Sequence, residues 1–415
     1  MICASPGSEN DTAEVKQYTN SLELYDVHEL LVYPSQKMTP AGIYIHIPFC
    51  KSRCSYCDFA TGLYQTESAE RYVKALIVDL QTTRADELSP RVDTIYFGGG
   101  TPSMLSSDQI ERILAVVHSR FQIDSKAEIT LEINPGSVTK TKLEEFRTLG
   151  INRASFGAQT FHDDELARLG RSHSAGDTLR TFEYLRAADF DNVSFDLIAG
   201  LPGQTMIQWQ ENVERSLGLR PEHLSFYLLE VHANTPLAQH IERGLQPKPD
   251  DDLAAEMYKW MLERACDAGY EHYEISNLCL PGFESRHNTK YWQGDAYYGF
   301  GCSAHSFDGI NLRWANERDV AAYVDAIEQK QSPMVEETQL SESELQSEAV
   351  FLGMRLMRGI NMAEYRRLFG VDIRARYDQD LSRFSGAGLI EFEGDVLRLT
   401  RAGALMSNEV FTALA

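Results

Sequence analysis

The stretch from residue 43 to residue 59, IYIHIPFCKSRCSYCDF, decides the fold. Its first five residues alternate Ile with Tyr and His, which is the two-residue period of a β-strand. Pro48 has no N–H group to donate to a neighbouring strand, so it ends this one. The loop that follows carries Cys50, Cys54 and Cys57 in the spacing C-x3-C-x2-C, and three thiols this close in sequence can bind one centre.

Two kinds of centre suit three thiols. Zinc takes four ligands, and a Cys3His set would need His46, which lies on the strand before the loop. A [4Fe–4S] cluster normally takes four thiolates, so three leave one iron free to hold the amino and carboxylate groups of S-adenosylmethionine. An electron from the cluster can then break the sulfonium C–S bond and give an adenosyl radical. The spacing C-x3-C-x-aromatic-C resembles that of the radical SAM superfamily and favours the cluster over zinc or free buried thiols.

Composition indicates a globular protein of a reducing compartment. The 415 residues are 43% hydrophobic and 24% charged, and no apolar run is long enough for a transmembrane helix. With 39 basic against 61 acidic residues the formal charge is -22, which would repel a phosphate backbone, so nucleic acid is not an expected partner. Outside the motif the cysteines are isolated, at positions 3, 266, 279 and 302, which is typical of the cytoplasm.

Residues 1–41 are polar, mixed in charge and poor in Arg. They lack the apolar core of a secretory signal and the Arg-rich, acid-poor composition of a transit peptide. We expect an N-terminal extension that is partly disordered, with a short helix at residues 22–33.

From residue 42 to about residue 245 the pattern alternates strands with helices, which predicts right-handed crossovers and a parallel sheet. The pattern leaves open whether this sheet is a barrel, a partial barrel or an open doubly wound sheet. The expected strands are 43–47, 92–97, 128–133, 153–157, 193–198 and 223–229. The expected helices are 68–80 with Ser68 as its cap, one around 110–117, 140–149, 178–188 and 206–217.

Polar residues gather at the carboxyl ends of these strands, where α/β proteins place their sites. The run Gly98-Gly99-Gly100-Thr101-Pro102 follows the second strand, and its glycines could let a ligand approach backbone N–H groups or could only form a tight turn. It lacks the nucleotide-binding patterns of G-x-G-x-x-G and G-K-[ST]. Polar residues on or just after the strands suit, as a set, a ligand with ribose hydroxyls and charged ends. Each residue alone is as well explained by a structural ion pair or hydrogen bond. The set is Glu132, Gln159, Arg171 and Asp196.

The rest of the chain is less regular. A helix is expected at 251–268, followed by a stretch rich in Tyr, Gly and His, then helices at 349–357, 362–369 and 373–384 and a strand pair at 391–399. This last part resembles a winged helix, and in an acidic chain we interpret it as packing on the barrel rather than as DNA-binding. His287, in HNTKYW at 287–292, and His305, in GCSAHS at 301–306, are candidate haem contacts, or else histidines bonded under a loop.

Together these motifs resemble the family of oxygen-independent coproporphyrinogen III oxidase and its relative, the HemW-type haem chaperone. The resemblance runs from residue 42 to about residue 413. It implies a partial (β/α)6 radical SAM barrel at 42–245, a connecting region at 246–335 and a small, mainly helical, winged-helix-like C-terminal domain at 336–415. The motifs are YIHIPFC (44–50), GGGTP (98–102), SFGAQ (155–159), GRSH (170–173), DLI (196–198) and GLPGQ (200–204).

The resemblance also implies site residues. Cys50, Cys54 and Cys57 would bind the cluster. The positions that match S-adenosylmethionine contacts of the family are Tyr44, Tyr56, Gly99, Gly100, Thr101, Glu132, Gln159, Arg171 and Asp196.

Two motifs separate the branches of this family. The oxidase has a further Cys two residues after the third, where this chain has Phe59, and the chaperone has the H-N-x-x-Y-W motif, which is present. The resemblance therefore implies a haem chaperone that delivers haem to membrane respiratory proteins, cytoplasmic or peripheral to the inner membrane, and without coproporphyrinogen oxidase activity. A radical enzyme acting on a porphyrin, as in the oxidase, and a zinc-stabilised binding protein stay as alternatives.

Overall fold

The fold is described from a computed structural model for residues 39–82 and 91–414. The helix expected at residues 22–33, and all but the end of the expected N-terminal extension, lie outside the described residues. The strands are β1 (Ala41–Ile47), β2 (Phe49–Cys50), β3 (Gly62–Leu63), β4 (Arg91–Gly99), β5 (Gln122–Ile133), β6 (Arg153–Gln159), β7 (Val193–Ala199), β8 (His223–Leu228), β9 (Glu271–Glu274), β10 (Asn277–Cys279), β11 (Tyr297–Phe300), β12 (His305–Phe307), β13 (Leu312–Asn316), β14 (Met334–Gln339), β15 (Ile360–Asn361), β16 (Ile390–Glu393) and β17 (Val396–Leu399).

Helices alternate with the first strands and dominate the C-terminal part. None of those in the described ranges combines the length and the hydropathy that a membrane-crossing helix needs. The helices are α1 (Thr66–Thr82), α2 (Ser107–Arg120), α3 (Lys140–Thr148), α4 (Asp163–Arg168), α5 (Ala175–Ala187), α6 (Met206–Leu219), α7 (Pro236–Glu242), α8 (Asp251–Asp267), α9 (Arg286–Gln293), α10 (Val320–Glu328), α11 (Glu342–Gly353), α12 (Met362–Phe369), α13 (Ile373–Arg376), α14 (Asp378–Gly386), α15 (Arg401–Leu405) and α16 (Ser407–Leu414).

The six strands expected from the sequence form the centre of one sheet. They lie in the order β1-β4-β5-β6-β7-β8, and every neighbouring pair among them is parallel. β1 does not pair with β8; instead β11 adds to β1 in parallel and β10 adds to β8 in the antiparallel sense. The sheet therefore stays open, as in a partial barrel, and extends to twelve strands with β9, β12, β13 and β14.

Side chains alternate between the two faces of this sheet. The outer face is apolar and packs under the helices, with Ile43, Ile45, Phe97, Phe156 and Phe195 all fully buried. A typical (β/α)8 barrel also fills its interior with branched apolar residues, but this inner face is polar. Such an interior can hold a polar ligand. The inner face carries Tyr44, His46, Thr94, Tyr96, Glu128, Thr130, Glu132, Arg153, Ser155, Ser194, Asp196, His223 and Ser225.

Capping residues fix where several helices begin after the strand-end loops. Ser106, Ser174 and Thr205 each form a capping box with the residue three positions later, an arrangement that stabilises a helix by about 1 kcal/mol. The prediction that Ser68 caps the first helix is wrong, because α1 already begins at Thr66 and Ser68 lies within its first turn.

The C-terminal part has a second hydrophobic core. Helices α11 to α16 and the small sheet β15-β17-β16 surround Val350, Tyr365, Leu381 and Leu397. The helix expected at 349–357 begins earlier, at Glu342, where Ser341 provides a capping box, and ends at Gly353. The helix expected at 373–384 is two helices, α13 and α14.

Candidate functional site

The Gly run after β4 packs directly against the Cys loop after β1. The N–H groups of Gly100 and Thr101 donate to the carbonyls of Ile47 (2.8 Å) and Phe49 (2.8 Å). A Cβ on Gly100 would lie 2.8 Å from the Phe49 oxygen, so only glycine allows this approach. The two loops therefore form one unit at the carboxyl edge of the sheet.

The N–H groups of the Gly run are not free for a ligand. Besides those of Gly100 and Thr101, the Gly99 N–H donates to Glu132 Oε2 at 3.0 Å. Gly99 is needed for a different reason, because its φ is +110° and an added Cβ would lie 2.5 Å from Cε1 of His46. These three N–H groups are paired within the protein, so the run holds the Cys loop and Glu132 in place.

All three thiols of the Cys loop accept hydrogen bonds, that of Cys57 from the backbone of Phe59 and the side chain of Thr61. Thr101 Oγ1 donates to Cys50 Sγ at 3.6 Å, and Arg171 Nη1 donates to Cys54 Sγ at 3.5 Å. Burial raises the pKa of Cys50 to about 11 and also raises that of Cys57. Ligand binding at these sulfurs must therefore displace protons, as metal binding to thiols generally does.

The arrangement suits a cluster better than a single zinc ion. Within residues 39–82 and 91–414, no three His, Cys, Asp or Glu side chains lie close enough together to hold one metal ion. Thiolates that bind a [4Fe–4S] cluster do not have to meet at one point, because each binds a different iron. Both ring nitrogens of His46, the candidate fourth zinc ligand, are already paired, Nδ1 with the Tyr44 hydroxyl (3.0 Å) and Nε2 with the Ala60 carbonyl (3.0 Å).

Two carboxylates, Glu132 and Asp196, occupy the inner face of the sheet below the Cys loop. Glu132 accepts from the Tyr96 hydroxyl (2.8 Å) and the Gly99 N–H, and burial raises its pKa to about 7. Burial also raises the pKa of Asp196, opposed by a hydrogen bond from Ser225 and by the guanidinium of Arg153. A cationic ligand would favour the ionised form of both groups.

Gln159 and Arg171 meet at the end of β6. Gln159 has φ +65°, a strained conformation for a residue other than glycine, and its Oε1 is buried without a hydrogen-bond partner. Arg171 Nη2 donates to the Gly157 carbonyl (2.6 Å) and braces this turn. A strained backbone that holds an unpaired polar atom is typical of a ligand site, so these two residues fit the S-adenosylmethionine site expected for them.

Tyr56 lies in the Cys loop between the second and third thiols. It packs half-buried against an apolar cluster formed by Leu169, Ile198 and Leu201. Its aromatic ring therefore anchors the loop to the ends of α4 and β7.

A polar cavity of about 150 Å³ lies beside Cys54, lined by Thr101, Asn134, Arg171, His173 and Asp177 among others. The ring of His173 hydrogen-bonds to the Ala158 carbonyl, while its buried Nε2 has no partner. Sequence reasoning assigned no role to Asn134 or His173. Asn134 could have been recognised as a site residue from its position directly after a strand, two residues beyond Glu132.

The two candidate haem contacts lie in different places. His287, in the first turn of α9, is buried; its Nδ1 pairs with Thr94 Oγ1 (2.9 Å) and its Nε2 with the Tyr291 hydroxyl (2.8 Å). Thr94 lies four residues before Gly98, about 13 Å along the strand from the start of the Gly run, so α9 closes the far end of the sheet interior. His305, on β12, is exposed.

Sequence comparison assigns the two parts of the chain to described families. Residues 44–215 match the Radical SAM superfamily, and residues 340–406 match the HemN C-terminal domain. The chain is 35% identical over 371 residues to the heme chaperone HemW of Bacillus subtilis, covering 89% of this chain and 98% of that one. It is also 35% identical over 289 residues to the heme chaperone HemW of Escherichia coli, covering 68% and 75% of the two chains.

Structural comparison agrees on the fold. The coproporphyrinogen III oxidase HemN of Escherichia coli, a radical SAM enzyme, superimposes with a TM-score of 0.80 over 91% of this chain and 90% of that one, at 21% identity. At this identity the likeness concerns the fold alone. It confirms the predicted partial radical SAM barrel.

Proposed function

The chain belongs to the family of the heme chaperone HemW within the radical SAM superfamily, and on this basis we propose that it is a haem chaperone. It holds a [4Fe–4S] cluster and S-adenosylmethionine, binds haem and delivers it to respiratory proteins at the membrane. The observation that carries the proposal is the 35% identity to a heme chaperone across 89% of the chain, which includes the C-terminal part as well as the barrel.

The residues at the carboxyl edge of the sheet suit these cofactors. Cys50, Cys54 and Cys57 would hold the cluster, which when bound supplies the electron that can cleave S-adenosylmethionine. Glu132 and Asp196 suit the cationic end and the ribose hydroxyls of that ligand. This assignment is supported by the unpaired Gln159 Oε1, by the hydrogen bonds to the thiol sulfurs and by the polar inner face.

Position 59 argues against the oxidase alternative. In the oxidase branch of the family that the sequence resembles, a further Cys stands two residues after the third Cys of the motif. Here the residue is Phe59, whose side chain is 66% exposed beside the Cys loop. A benzyl group can neither ligate iron nor carry a proton, so chemistry that depends on that thiol is absent from this position.

Of the two candidate haem contacts, the geometry favours His305. An axial imidazole needs a free ring nitrogen, and both nitrogens of His287 are engaged inside the protein. Burial also lowers the pKa of His287 to about 3, so it stays neutral and hydrogen-bonded at physiological pH. His305 is exposed on β12 and can reach a ligand without breaking internal contacts.

The experiment is a haem titration of the anaerobically reconstituted protein, followed by its absorption spectrum, and then a transfer assay. Haem-loaded protein is mixed with membrane vesicles that contain a haem-free respiratory cytochrome, and the cytochrome spectrum is recorded. Stoichiometric binding followed by transfer supports the proposal. Absence of haem binding in a sample that carries its cluster would overturn it. Loss of binding in His305→Ala, with binding retained in His287→Ala, would assign the contact.

A further inference from the structure

Asn134 lies directly after β5, which ends at Ile133, and its side-chain amide joins two residues of the site. Its Nδ2 donates to Thr101 Oγ1 at 2.6 Å. Its Oδ1 accepts from Arg171 Nη2 at 2.9 Å. The following residue is Pro135, which restricts the backbone of Asn134 to extended conformations and so helps to fix the amide. One amide therefore bridges the loop after β4 and the loop after α4.

Each of the two bridged residues donates a hydrogen bond to a different thiol. Thr101 Oγ1 donates to Cys50 Sγ and Arg171 Nη1 to Cys54 Sγ. The chain of contacts thus runs from one thiol to the other through the amide of Asn134. Residues that orient the donors around a metal site control its properties although they do not touch the metal.

The direction of these bonds depends on the amide. A hydroxyl has one proton, and Thr101 can give it to Cys50 only because it receives a proton from Asn134 rather than giving one. An aspartate in this position would accept the Thr101 proton and turn it away from the sulfur. Together with the Gly157 carbonyl, Asn134 Oδ1 holds Nη2 of Arg171, which leaves Nη1 pointing at Cys54.

We propose that Asn134 is a positioning residue that raises the reduction potential of the cluster, by orienting the donors to two of its thiolates. The inference rests on the proposed function, because it needs the cluster at Cys50, Cys54 and Cys57. Hydrogen bonds to the sulfurs of iron–sulfur clusters stabilise the more negative, reduced form and so raise the potential. Without the amide, Thr101 loses the donor that directs its proton to Cys50, and Arg171 keeps only the Gly157 carbonyl as the acceptor for Nη2.

The test is a redox titration of reconstituted wild-type, Asn134→Ala and Thr101→Val proteins, followed by the EPR signal of the reduced cluster. We expect Asn134→Ala to lower the ratio of reduced to oxidised cluster about tenfold at a fixed solution potential, a shift of about 59 mV for one electron. Asn134→Asp should lower it further. Asn134 and Thr101 act in one chain of contacts, so the double variant should shift by less than the sum of the single shifts.

Asn152→Ala is the matched control. Asn152 is also an asparagine that holds the sheet, through the backbone of Ile129 and Ala127, but it contacts no residue of the site. Its substitution should leave the potential unchanged. Iron content is measured first in every sample, so that loss of the cluster is not mistaken for a shift. If Asn134→Ala loses iron, Asn134→Ser takes its place and should lower the potential by a smaller amount.

The outcomes distinguish a failure of the proposed function from a failure of the inference about Asn134. A wild-type protein that takes up no four-iron cluster contradicts the proposed function itself. A wild-type cluster whose potential stays the same in the Asn134 variant, within the scatter of the Asn152 control, overturns the inference alone. Strictly additive shifts in the double variant would also overturn it, because the two residues would then act independently.

Discussion

Glu132 gives the site a pH dependence that can be worked out from its burial. Its pKa is about 7 against an ordinary 4.5, because burial disfavours the charged form more than Tyr96 and Gly99 stabilise it. The difference corresponds to about 3 kcal/mol of free energy. A cationic ligand such as S-adenosylmethionine binds the ionised form better, so it must displace the proton wherever the pH is below about 7.

The affinity should therefore rise with pH across this range. With a pKa of about 7, the ionised fraction of Glu132 rises about tenfold from pH 6 to pH 8, so the dissociation constant should fall by about the same factor. Isothermal titration calorimetry of the cluster-loaded protein with S-adenosylmethionine, without reductant, measures this directly. Repeating it at pH 6 in buffers of different ionisation enthalpy should detect about one proton released per ligand bound.

The ligand-free protein should show the opposite trend in stability. A carboxyl whose folded-state pKa is raised binds a proton in the fold that the unfolded chain releases, so stability is full below about pH 4.5 and falls as the pH rises towards 7. Glu132→Gln should abolish both dependences, whereas Asp196→Asn should keep the step but move it to lower pH, because the Asp196 charge helps to raise the pKa of Glu132. A flat affinity profile for the wild-type protein, or an unchanged profile in Glu132→Gln, would show that the pH dependence does not come from Glu132.

Three substitutions test the structural roles of single residues. Gly99→Ala should lower the free energy of unfolding by at least about 2 kcal/mol in urea denaturation, because Gly99 has a positive φ and the ring of His46 lies 2.5 Å from the added Cβ. The control Gly218→Ala, whose added Cβ meets open space on α6, should be neutral or should stabilise the protein by up to about 1 kcal/mol. Equal effects of the two substitutions would contradict this prediction. His287→Ala should cost about 3 kcal/mol of stability and leave the haem affinity of the folded protein unchanged, so lost affinity at full stability would show that the ring meets haem after all. Cys50→Ala should reduce iron content after reconstitution to a small fraction of the wild-type value while Cys266→Ala retains it, and iron retained in the first variant would contradict the cluster assignment.

The sequence predicted the central sheet because its strands follow a strict rule. Residues such as Ile43, Ile45 and Phe97 have to be apolar to pack under helices, while their neighbours face a polar interior, so the two-residue period is visible in the sequence. The strands β11 and β12, only four and three residues long, carry too short a pattern. β11 pairs with β1 from about 250 residues away, and a sequence pattern does not report such a pairing.

For the candidate site, the residue types at strand ends predicted which side chains lie in the site, but the sequence could not predict their hydrogen-bond partners. Glu132 and Asp196 were expected at the carboxyl ends of strands, and the structure places both on the inner face. For the Gly run the sequence left a ligand loop and a tight turn open, because the partners of its N–H groups depend on the packing of two loops far apart in sequence. The same applies to Asn134, whose importance comes from contacts with Thr101 and Arg171.

We propose that this chain carries haem and does not oxidise coproporphyrinogen. One anaerobically reconstituted sample, checked for iron, is divided in two. One half receives haem and is followed by its absorption spectrum; the other receives coproporphyrinogen III, S-adenosylmethionine and a reductant and is followed for protoporphyrinogen. We predict stoichiometric haem binding and no protoporphyrinogen. Sustained turnover without tight haem binding would contradict the proposed haem-chaperone function and identify the protein as an oxidase.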